Sequence, residues 1–380
     1  MISYYYIVTY IYKEVPHMSK NKEIFSDKEK RDADNVKSTM KAVVLKKPCS
    51  AEELEISKIP VPEIKPGWVL IKIKAFGINR AEILTRNGHS PSVKLPRVIG
   101  IECVGIIENP SDSSFKKGEP VFSMMNGMGR DFDGSYAEYT LVPSEKIYRL
   151  DYDIFKNLDR QYENIFADTD KDEFSEWAKA AAYPELYYTA YGSLFKSLRL
   201  KSEEVLLIRG GTGSVALAAI QLAKAVNTTV IATTRNKSKE SFLKEKGADI
   251  VIVEDDLFEE NLKTYYPDGV DKVLELIGAS TLKSSLKATV QGGIVCMTGC
   301  LGGWVVEQFE PLDDIISESY LTSFNSTFIK KETIEEMFQF ISENHIEPYI
   351  SMTFTLDEIS KAHKYLESNK ANGKVIVTVQ

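Results

Sequence analysis

The segment Val205-Leu-Leu-Ile-Arg-Gly-Gly-Thr-Gly-Ser-Val-Ala-Leu-Ala-Ala-Ile-Gln-Leu-Ala-Lys224 combines a short apolar run, a glycine-rich turn and an amphipathic helical pattern. Gly211, Gly213 and Ala216 fit the G-x-G-x-x-G/A spacing of a dinucleotide-binding turn. Glycines let the backbone approach a pyrophosphate, and the amides at the start of the next helix bind the anion. The predicted cofactor contacts in this turn are Gly210, Gly211, Thr212, Gly213, Ser214 and Val215.

The residues that follow the next predicted strand, Thr229–Thr234, indicate which dinucleotide binds. An NAD site usually places Asp or Glu about 20 residues beyond the glycines, where it binds the ribose 2′-hydroxyl. The chain instead continues with Arg235-Asn-Lys-Ser-Lys239, which contains no carboxylate. Hydroxyls and cations suit a 2′-phosphate, so we predict NADPH, with Thr234, Arg235 and Lys239 among its contacts. The alternative is that these cations only cover the solvated start of a helix.

From about residue 181 onward, apolar strands alternate with helical stretches. The pattern predicts further strands at Ile250–Val253, Val270–Gly278 and Gly293–Gly299, with a helix at Thr281–Val290. This alternation is typical of a parallel sheet with helices on both faces. We therefore predict a doubly wound, Rossmann-type dinucleotide-binding domain over residues 181–326. Ligands bind at the carboxyl ends of such strands, which adds Thr298 and Gly299 to the predicted cofactor contacts.

Residues 40–180 have a different, β-rich pattern. Val69–Phe76 alternates as a half-buried strand does, and Pro-Gly, Asn-Pro and Lys-Gly pairs divide the region into short strands. The tail, residues 327–380, predicts helices at Glu332–Glu343 and Leu356–Asn369 and a final strand at Gly373–Val379. The expected fold class is therefore α/β, with a β-rich domain (40–180 and 327–380) beside the Rossmann domain.

Two segments depart from this organisation. Residues 1–39 begin with an aromatic run too short to span a bilayer and continue with dense charge, so we predict a disordered extension. The run lacks the basic start and the cleavage site of a secretory signal. Residues 151–176 carry nine acids and three bases, and we expect an acidic surface insertion without a catalytic role.

Overall charge and cysteine content exclude several classes of function. The net charge is −8, which argues against nucleic acid as a partner, because phosphate binding needs clustered Lys and Arg. No segment predicts a membrane partner. Four cysteines in 380 residues do not make a disulfide framework, and this fits a reducing, cytoplasmic compartment.

Several short motifs resemble one known family. They are Pro60-Val-Pro-Glu-Ile-Lys-Pro-Gly67, Ala75-Phe-Gly-Ile-Asn-Arg-Ala-Glu82, Thr85-Arg-Asn-Gly-His-Ser-Pro91, Gly100-Ile-Glu102, Ser135-Tyr-Ala-Glu-Tyr139, Arg209-Gly-Gly-Thr-Gly213 and Asn372-Gly-Lys-Val-Ile-Val377. Together they are similar to the medium-chain dehydrogenase/reductase superfamily, and most of all to its zinc-independent quinone oxidoreductase branch, the relatives of zeta-crystallin. The resemblance covers residues 40–380 and implies a GroES-like catalytic domain together with the Rossmann domain.

The zinc alcohol dehydrogenases of this superfamily hold their catalytic metal with a Cys, a Gly-His-Glu and a second Cys. The corresponding regions here read Phe76-Gly-Ile-Asn79, Gly100-Ile-Glu102 and Pro184-Glu-Leu-Tyr187, so the thiols and the imidazole are missing. Without a Lewis acid, oxidation of an alcohol is difficult, whereas hydride transfer to a conjugated double bond is not. The resemblance thus implies NADPH-dependent reduction of quinones, enones or 2-alkenals.

The resemblance also implies roles for individual residues. Asn79, Arg86 and Tyr136 are the predicted catalytic residues, and Thr189 and Phe324 are further cofactor contacts. The alternatives are a turn-forming role for Asn79, a structural ion pair for Arg86 and simple packing for Tyr136, as for Tyr187, Tyr188 and Tyr191. Glu254 occupies a position where some relatives place a tyrosine against the 2′-phosphate, and an acid pointing inward there would weaken the NADPH prediction. Ser90 lies near the position of a family tyrosine that contacts the cofactor.

Other functions remain compatible with the sequence. One is a cofactor-binding protein without turnover that serves a regulatory or adaptor role, and another is an NADP-linked alcohol dehydrogenase that works without zinc. Relatives usually dimerise through an edge strand of the cofactor domain. We therefore expect a homodimer formed through the runs Trp304–Val306 and Tyr320–Phe324.

Overall fold

The structure is a computed structural model that describes residues 38–155 and 171–380. The predicted extension 1–39 lies outside the described residues except for its last two positions. The predicted acidic insertion 151–176 lies outside them over residues 156–170. Residues Thr39–Gln380 belong to one compact unit. In the two described ranges, no helix combines the length and apolar character needed to cross a membrane.

The N-terminal part is mostly antiparallel β-structure, as its alternating pattern and frequent turn residues predict. Its strands are β1 (Thr39–Leu45), β2 (Ile56–Pro60), β3 (Trp68–Ile78), β4 (Arg97–Val98), β5 (Glu102–Asn109), β6 (Pro120–Met124), β7 (Tyr139–Pro143) and β8 (Tyr148–Arg149), with one short helix, α1 (Arg80–Arg86). Strand β3 is buried along most of its length because it lies between other strands of its sheet.

Helices and strands alternate in the following part of the chain. After α2 (Lys171–Ala181), helix α3 (Pro184–Tyr191) continues into a π-helical turn at Gly192–Ser197. The alternating elements are β9 (Val205–Arg209), α4 (Ser214–Ala225), β10 (Thr229–Thr234), α5 (Glu240–Glu245), β11 (Ile250–Val253), α6 (Phe258–Tyr265), β12 (Val270–Glu275), α7 (Ala279–Lys287), β13 (Thr289–Met297), α8 (Pro311–Asp314) and β14 (Tyr320–Ser323).

The six strands β9 to β14 form one sheet in the order β11-β10-β9-β12-β13-β14, and every neighbouring pair is parallel. This is the doubly wound Rossmann order, in which the direction of winding reverses at β9. Fully buried side chains, including Leu206, Leu207, Ile208 and Ile231, fill both faces. The predicted α/β fold with a parallel-sheet domain is therefore confirmed.

The C-terminal segment returns to the N-terminal sheet. It contains α9 (Lys331–Glu343), β15 (Ile350–Thr355), α10 (Ile359–Glu367) and β16 (Lys374–Thr378). Strand β16 pairs antiparallel with β3, and β15 pairs parallel with β16. The residues predicted for the last strand and for the helix at 332–343 are confirmed, whereas strand β15 was not predicted.

Candidate active site

The glycine-rich turn lies at the carboxyl end of the central strand β9. Gly210 has φ +79°, a conformation that favours glycine, and its N–H donates to Thr233 Oγ1 at 3.0 Å. A Cβ on Gly211 would lie 2.9 Å from Ala232 Cβ, so this position must stay small. By contrast, a Cβ on Gly213 would meet nothing closer than 3.8 Å. Among the three glycines of the turn, Gly213 is therefore the one with open space where a side chain would lie.

Helix α4 begins directly behind that space. Its N-cap residue is Gly213, which has no side chain to bond the free amides of the first turn, and no acidic residue lies in this turn. Ala216 is fully buried and lets the helix pack closely on the sheet. Uncapped amides at a helix N-terminus bind phosphate groups well. The geometry of the turn thus fits the pyrophosphate of a dinucleotide.

The residues predicted to hold the 2′-phosphate follow the neighbouring strand β10. Thr234 is buried, and its hydroxyl accepts the N–H of Asn236 at 3.2 Å. Arg235 is exposed, and its guanidinium has no partner within the described ranges. Lys239 Nζ lies 2.9 Å from Asn372 Oδ1, so this lysine is tied to the C-terminal segment. One cation is therefore held in place and another is free to bind an anion.

The acid that would oppose a phosphate is neutralised. Glu254 forms a two-point ion pair with Arg209, in which Nε lies 3.0 Å from Oε2 and the Nη2 group bonds Oε1. Arg209 is buried, donates to the hydroxyls of Ser284 and Ser285 at 3.1 Å, and stacks on Phe258. Because Glu254 is paired in this way, its charge is compensated within the protein.

Several hydroxyl groups and one aromatic ring lie close to the carboxyl end of β13. Ser193 Oγ lies 2.9 Å from Thr298 Oγ1 and donates to the carbonyl of Thr189 at 2.7 Å. The Phe324 ring packs so closely on Gly192 that a Cβ there would be 2.0 Å from it. Leu276 lies against both Gly210 and Gly299, which places the end of β13 beside the glycine turn. Four of the predicted cofactor contacts outside the turn, Thr189, Thr298, Gly299 and Phe324, therefore lie in one region.

A buried lysine occupies the middle of the regions that resemble the zinc-ligand positions. Lys374 Nζ lies 2.7 Å from Glu102 Oε1, 2.5 Å from Asn79 Oδ1 and 3.9 Å from Glu185 Oε2. Lys374 and Glu102 are each about 1% exposed. We call these four residues, together with Glu82, the lysine cluster.

The strand register explains how this cluster forms. Val375 pairs with Ile78 and Ile376 with Gly77, so β16 carries Lys374 to a place opposite Asn79. A Cβ on Gly77 would lie 2.2 Å from Lys374 Cε and 2.5 Å from Glu102 Oε1. A glycine inside a strand often marks such a close approach. Gly77 thus provides the room for the ion pair.

The amide of Asn79 is held at both ends by the cluster. Its Nδ2 donates to Glu102 Oε1 at 2.9 Å, while its Oδ1 accepts from Lys374. Its backbone N–H donates to Glu82 Oε2 at 3.0 Å, an arrangement typical of a capping box at the start of α1. Asn79 therefore shapes the turn before α1, as the structural alternative proposed, and it also lies in the lysine cluster; its catalytic role stays a prediction.

Burial changes the acidity of the cluster. Burial, and then the charge of Glu102, raise the pKa of Glu82 to about 7. Burial also raises the pKa of Glu185, although Lys374 opposes this shift. For Lys374, burial disfavours the charged form, but Glu102 and Glu185 outweigh it and raise the pKa. At neutral pH the lysine therefore carries a positive charge that compensates the carboxylates around it.

Arg86 and Tyr136, two of the predicted catalytic residues, are buried in one polar network around His363. They are 2% and 0% exposed. Arg86 forms an ion pair with Glu367 and lies 3.1 Å from His363 Nδ1, while the Tyr136 hydroxyl lies 2.9 Å from His363 Nε2. These contacts match the structural alternatives given above, an ion pair for Arg86 and packing for Tyr136. The catalytic roles of both residues stay predictions.

The network determines the protonation of His363. An arginine only donates, so Nδ1 must be the acceptor and Nε2 carries the proton toward Tyr136. Burial and the charge of Arg86 lower the pKa of His363 to about 3. An imidazole in unfolded chains has a pKa of about 6.5. Below pH 6.5 the unfolded chain therefore binds a proton that the folded chain does not.

We predict that this histidine makes stability fall as the pH falls below 6.5. Its contribution should decrease by about 1.4 kcal/mol per pH unit between pH 6.5 and the folded pKa. Denaturant unfolding of the wild type and of His363→Gln at pH 7.0, 6.0 and 5.0 tests this. In His363→Gln, the free energy of unfolding should no longer show this part of its decrease with falling pH. The control His89→Gln, at an exposed position, should show the same decrease as the wild type. Equal slopes for His363→Gln and the wild type would contradict the prediction.

Metal-ligand chemistry does not fit this centre. In the part of the chain that the structure describes, no three His, Cys, Asp or Glu side chains are arranged to hold a metal ion. The four cysteines are free, and Cys103 is buried in a strand, where burial raises its pKa to about 12. The place of a cation between the carboxylates is taken by the Lys374 ammonium.

Comparison with known proteins identifies the family. The model of the alcohol dehydrogenase GroES-like domain matches residues 65–152, and that of zinc-binding dehydrogenase matches residues 246–377. Quinone oxidoreductase from Homo sapiens is 29% identical over 331 residues, which cover 84% of this chain and 92% of the relative. Acryloyl-coenzyme A reductase from Sulfurisphaera tokodaii is 28% identical over 353 residues, covering 89% of this chain and 99% of the relative.

Solved structures agree on the fold. A mycobacterial protein solved in complex with NADPH superposes with a TM-score of 0.73 at 24% identity, covering 89% of this chain and 99% of the other. The matches to both domain models, the two relatives and the parallel-sheet topology point to the same family. The chain therefore belongs to the medium-chain dehydrogenase/reductase superfamily and is an oxidoreductase.

Proposed function

We propose that the protein uses NADPH to reduce quinones, enones or 2-alkenals without a catalytic metal. The observation that carries the proposal is the Lys374 ammonium, which lies among Asn79, Glu102 and Glu185, in the regions that resemble the zinc-ligand motifs of the superfamily but lack their Cys and His. A conjugated carbonyl takes up the charge of the added hydride on its own oxygen, which water can then protonate. Such a substrate needs no Lewis acid, in contrast to an alcohol.

The residues at the carboxyl ends of β9 and β13, with those of α3 beside them, fit a nicotinamide dinucleotide. Gly210–Val215 would hold the pyrophosphate, and Thr189, Thr298, Gly299 and Phe324 would lie along the nicotinamide end. Bound NADPH supplies the hydride. The chain binds the cofactor, orients it against the substrate and excludes water, and these contributions account for much of the catalysis in such enzymes.

Oxidation of NADPH by an ortho-quinone and by a 2-alkenal, with no metal added, tests this function. We expect turnover that a chelator does not change. Activity that a chelator abolishes and zinc restores would refute the proposal. Binding of NADPH without oxidation by any carbonyl compound in a broad panel would favour a regulatory or adaptor protein, and sustained NADP-linked alcohol oxidation would favour an alcohol dehydrogenase.

The choice of NADPH over NADH depends on the exposed Arg235. Arg235→Ala should weaken NADPH binding by about 10- to 100-fold and leave NADH binding unchanged, because a charge-assisted contact to phosphate contributes ~1.5–3 kcal/mol. Titration of both cofactors by protein fluorescence measures the effect. The exposed Lys263→Ala on α6 is the control and should change neither affinity. Equal losses for NADPH and NADH in Arg235→Ala would contradict selection through the 2′-phosphate.

We further propose a homodimer in a reducing, cytoplasmic compartment. Strand β14 is the edge of the six-stranded sheet, and large apolar side chains near it are exposed: Tyr320 61%, Trp304 64%, Val305 78% and Leu312 97%. An apolar edge of this kind needs to be covered. Light scattering should show a dimer for the wild type and a monomer for Val305→Asp/Tyr320→Lys. Tyr265→Lys on α6, also at an exposed position, should remain dimeric, and an unchanged dimer in the double variant would exclude this interface.

A further inference from the structure

The hydroxyl group of Thr189 can donate one hydrogen bond, and in the structure it donates this bond to Glu185. Thr189 Oγ1 lies 2.9 Å from Glu185 Oε1, one helical turn earlier in α3. A carboxylate accepts hydrogen bonds and cannot donate them, so Thr189 must be the donor. Ser326 Oγ donates to the same oxygen at 3.1 Å. Thr189, which is 8% exposed, thus keeps only lone pairs for any other partner.

Lys374 favours the charged form of Glu185, although burial raises the pKa of this carboxyl, and the lysine cluster fixes its orientation. Lys374 Nζ lies 3.9 Å from Glu185 Oε2, the oxygen opposite the one that Thr189 bonds. The backbone N–H of Glu185 donates to Glu102 Oε2 at 3.2 Å, which anchors the start of α3 to the same cluster. A carboxylate with an ammonium on one oxygen and two hydroxyl donors on the other is well compensated.

We propose that Glu185 is a positioning residue that makes Thr189 a pure hydrogen-bond acceptor, and that the site thereby selects a nicotinamide ring whose carboxamide presents its NH2 group. This inference rests on the proposed function, because it takes Thr189 as a contact of the nicotinamide. Lys374 acts one step further away by holding Glu185. The carboxamide carries both a donor and an acceptor, so an acceptor-only partner determines which of the two faces Thr189.

An analogue of the cofactor can reveal this polarity. In 3-acetylpyridine adenine dinucleotide phosphate a methyl group replaces the NH2, so the side group offers only an acceptor oxygen. In the wild type, the acetyl oxygen of the analogue would therefore face the Thr189 oxygen, which also only accepts, and no hydrogen bond could form between them. We expect the wild type to bind NADP+ at least about tenfold more tightly than the analogue, which corresponds to ~1.4 kcal/mol.

Glu185→Gln should reverse the polarity while keeping the shape of the side chain. The Lys374 ammonium attracts the amide oxygen of glutamine, so the NH2 group turns toward Thr189 and Ser326. Thr189 then accepts from this group, and its own proton becomes available for the acetyl oxygen. The preference for NADP+ over the analogue should fall to about twofold or less, mainly because the analogue binds more tightly.

Dissociation constants from isothermal titration calorimetry, with thermal unfolding to confirm the fold, decide the question. Ser326→Ala removes the other donor on Glu185 and should keep the wild-type preference. Thr189→Val removes the hydroxyl, and its preference should fall through weaker NADP+ binding, not through tighter analogue binding. If folded Glu185→Gln keeps the wild-type ratio, the inference is wrong although the proposed function stands. If the wild type binds neither NADP+ nor NADPH, the proposed function itself fails.

Discussion

Replacing Lys374 by methionine should lower the free energy of unfolding by about 3–5 kcal/mol, because the change removes the only cation of the lysine cluster and leaves buried carboxylates uncompensated. Lys374 Nζ is 2.7 Å from Glu102 Oε1, and both side chains are almost completely buried. Water cannot replace the ammonium at such a depth. Urea unfolding of Lys374→Met and the wild type at pH 7 measures the loss.

Two further variants show whether the loss comes from charge. Lys361→Met removes an exposed lysine that pairs with Glu358 on the surface, and its effect should stay within about 0.5 kcal/mol. The double variant Lys374→Met/Glu102→Gln removes one of the stranded charges and should recover part of the stability, and it provides a folded reference where Lys374→Met alone does not fold. A loss below about 1 kcal/mol in Lys374→Met would show that the cluster does not depend on its lysine.

This cluster could not be predicted from the sequence, although its parts were visible. The motifs around Asn79, Glu102 and Glu185 indicated that zinc ligands were missing, but no local pattern shows what replaces them. Lys374 lies 295 positions from Asn79 along the chain, and only the pairing of β16 with β3 brings the two together. Gly77 was one available signal, since a glycine inside a regular strand indicates that another group approaches closely.

The cofactor domain was more predictable because its signals are local. Apolar runs of four to six residues, each followed by a turn and a helical period, correctly predicted strands β9, β10 and β11 within a residue at each end. The predicted helix Thr281–Val290 begins two residues earlier and ends at Lys287, since Thr289 and Val290 already belong to β13. Element boundaries depend on tertiary pairing, which the periodic pattern does not contain.

Arg86 and Tyr136 show that a family motif does not reveal which groups a side chain contacts. Both lie in segments that resemble the family, and both residue types are common in active sites. In the structure their polar groups bond His363 on α10, a residue that the sequence gave no reason to connect with them. The opposite case is Glu254, which follows β11: its position weakened the NADPH prediction, but Arg209 at the end of β9, two strands away, neutralises its charge. In these cases the role of a polar side chain depends on the partner that it contacts in the fold, and the residue type alone does not determine it.

Gly213→Glu should weaken NADPH binding by roughly 100-fold or more and leave the fold of the free protein intact. A Cβ at this position meets nothing within 3.8 Å, and its φ of −75° suits any residue. The new carboxylate would lie at the uncapped start of α4, where we propose that the pyrophosphate binds, and the juxtaposition of like charges costs several kcal/mol. Calorimetric titration with NADPH and thermal unfolding measure the two effects separately.

Variants at two other positions distinguish an effect on NADPH binding from an effect on the stability of the free protein. Leu257 is the N-cap of α6 and is 53% exposed, so Leu257→Glu places the same charge at another helix start and should leave NADPH binding unchanged. Gly211→Ala should instead destabilise the free protein, because its Cβ would be forced to within 2.9 Å of Ala232 Cβ. Gly211 therefore serves the packing of the turn, whereas Gly213 keeps the space for the ligand open. Unchanged NADPH affinity in a folded Gly213→Glu variant would mean that the cofactor does not bind at this turn.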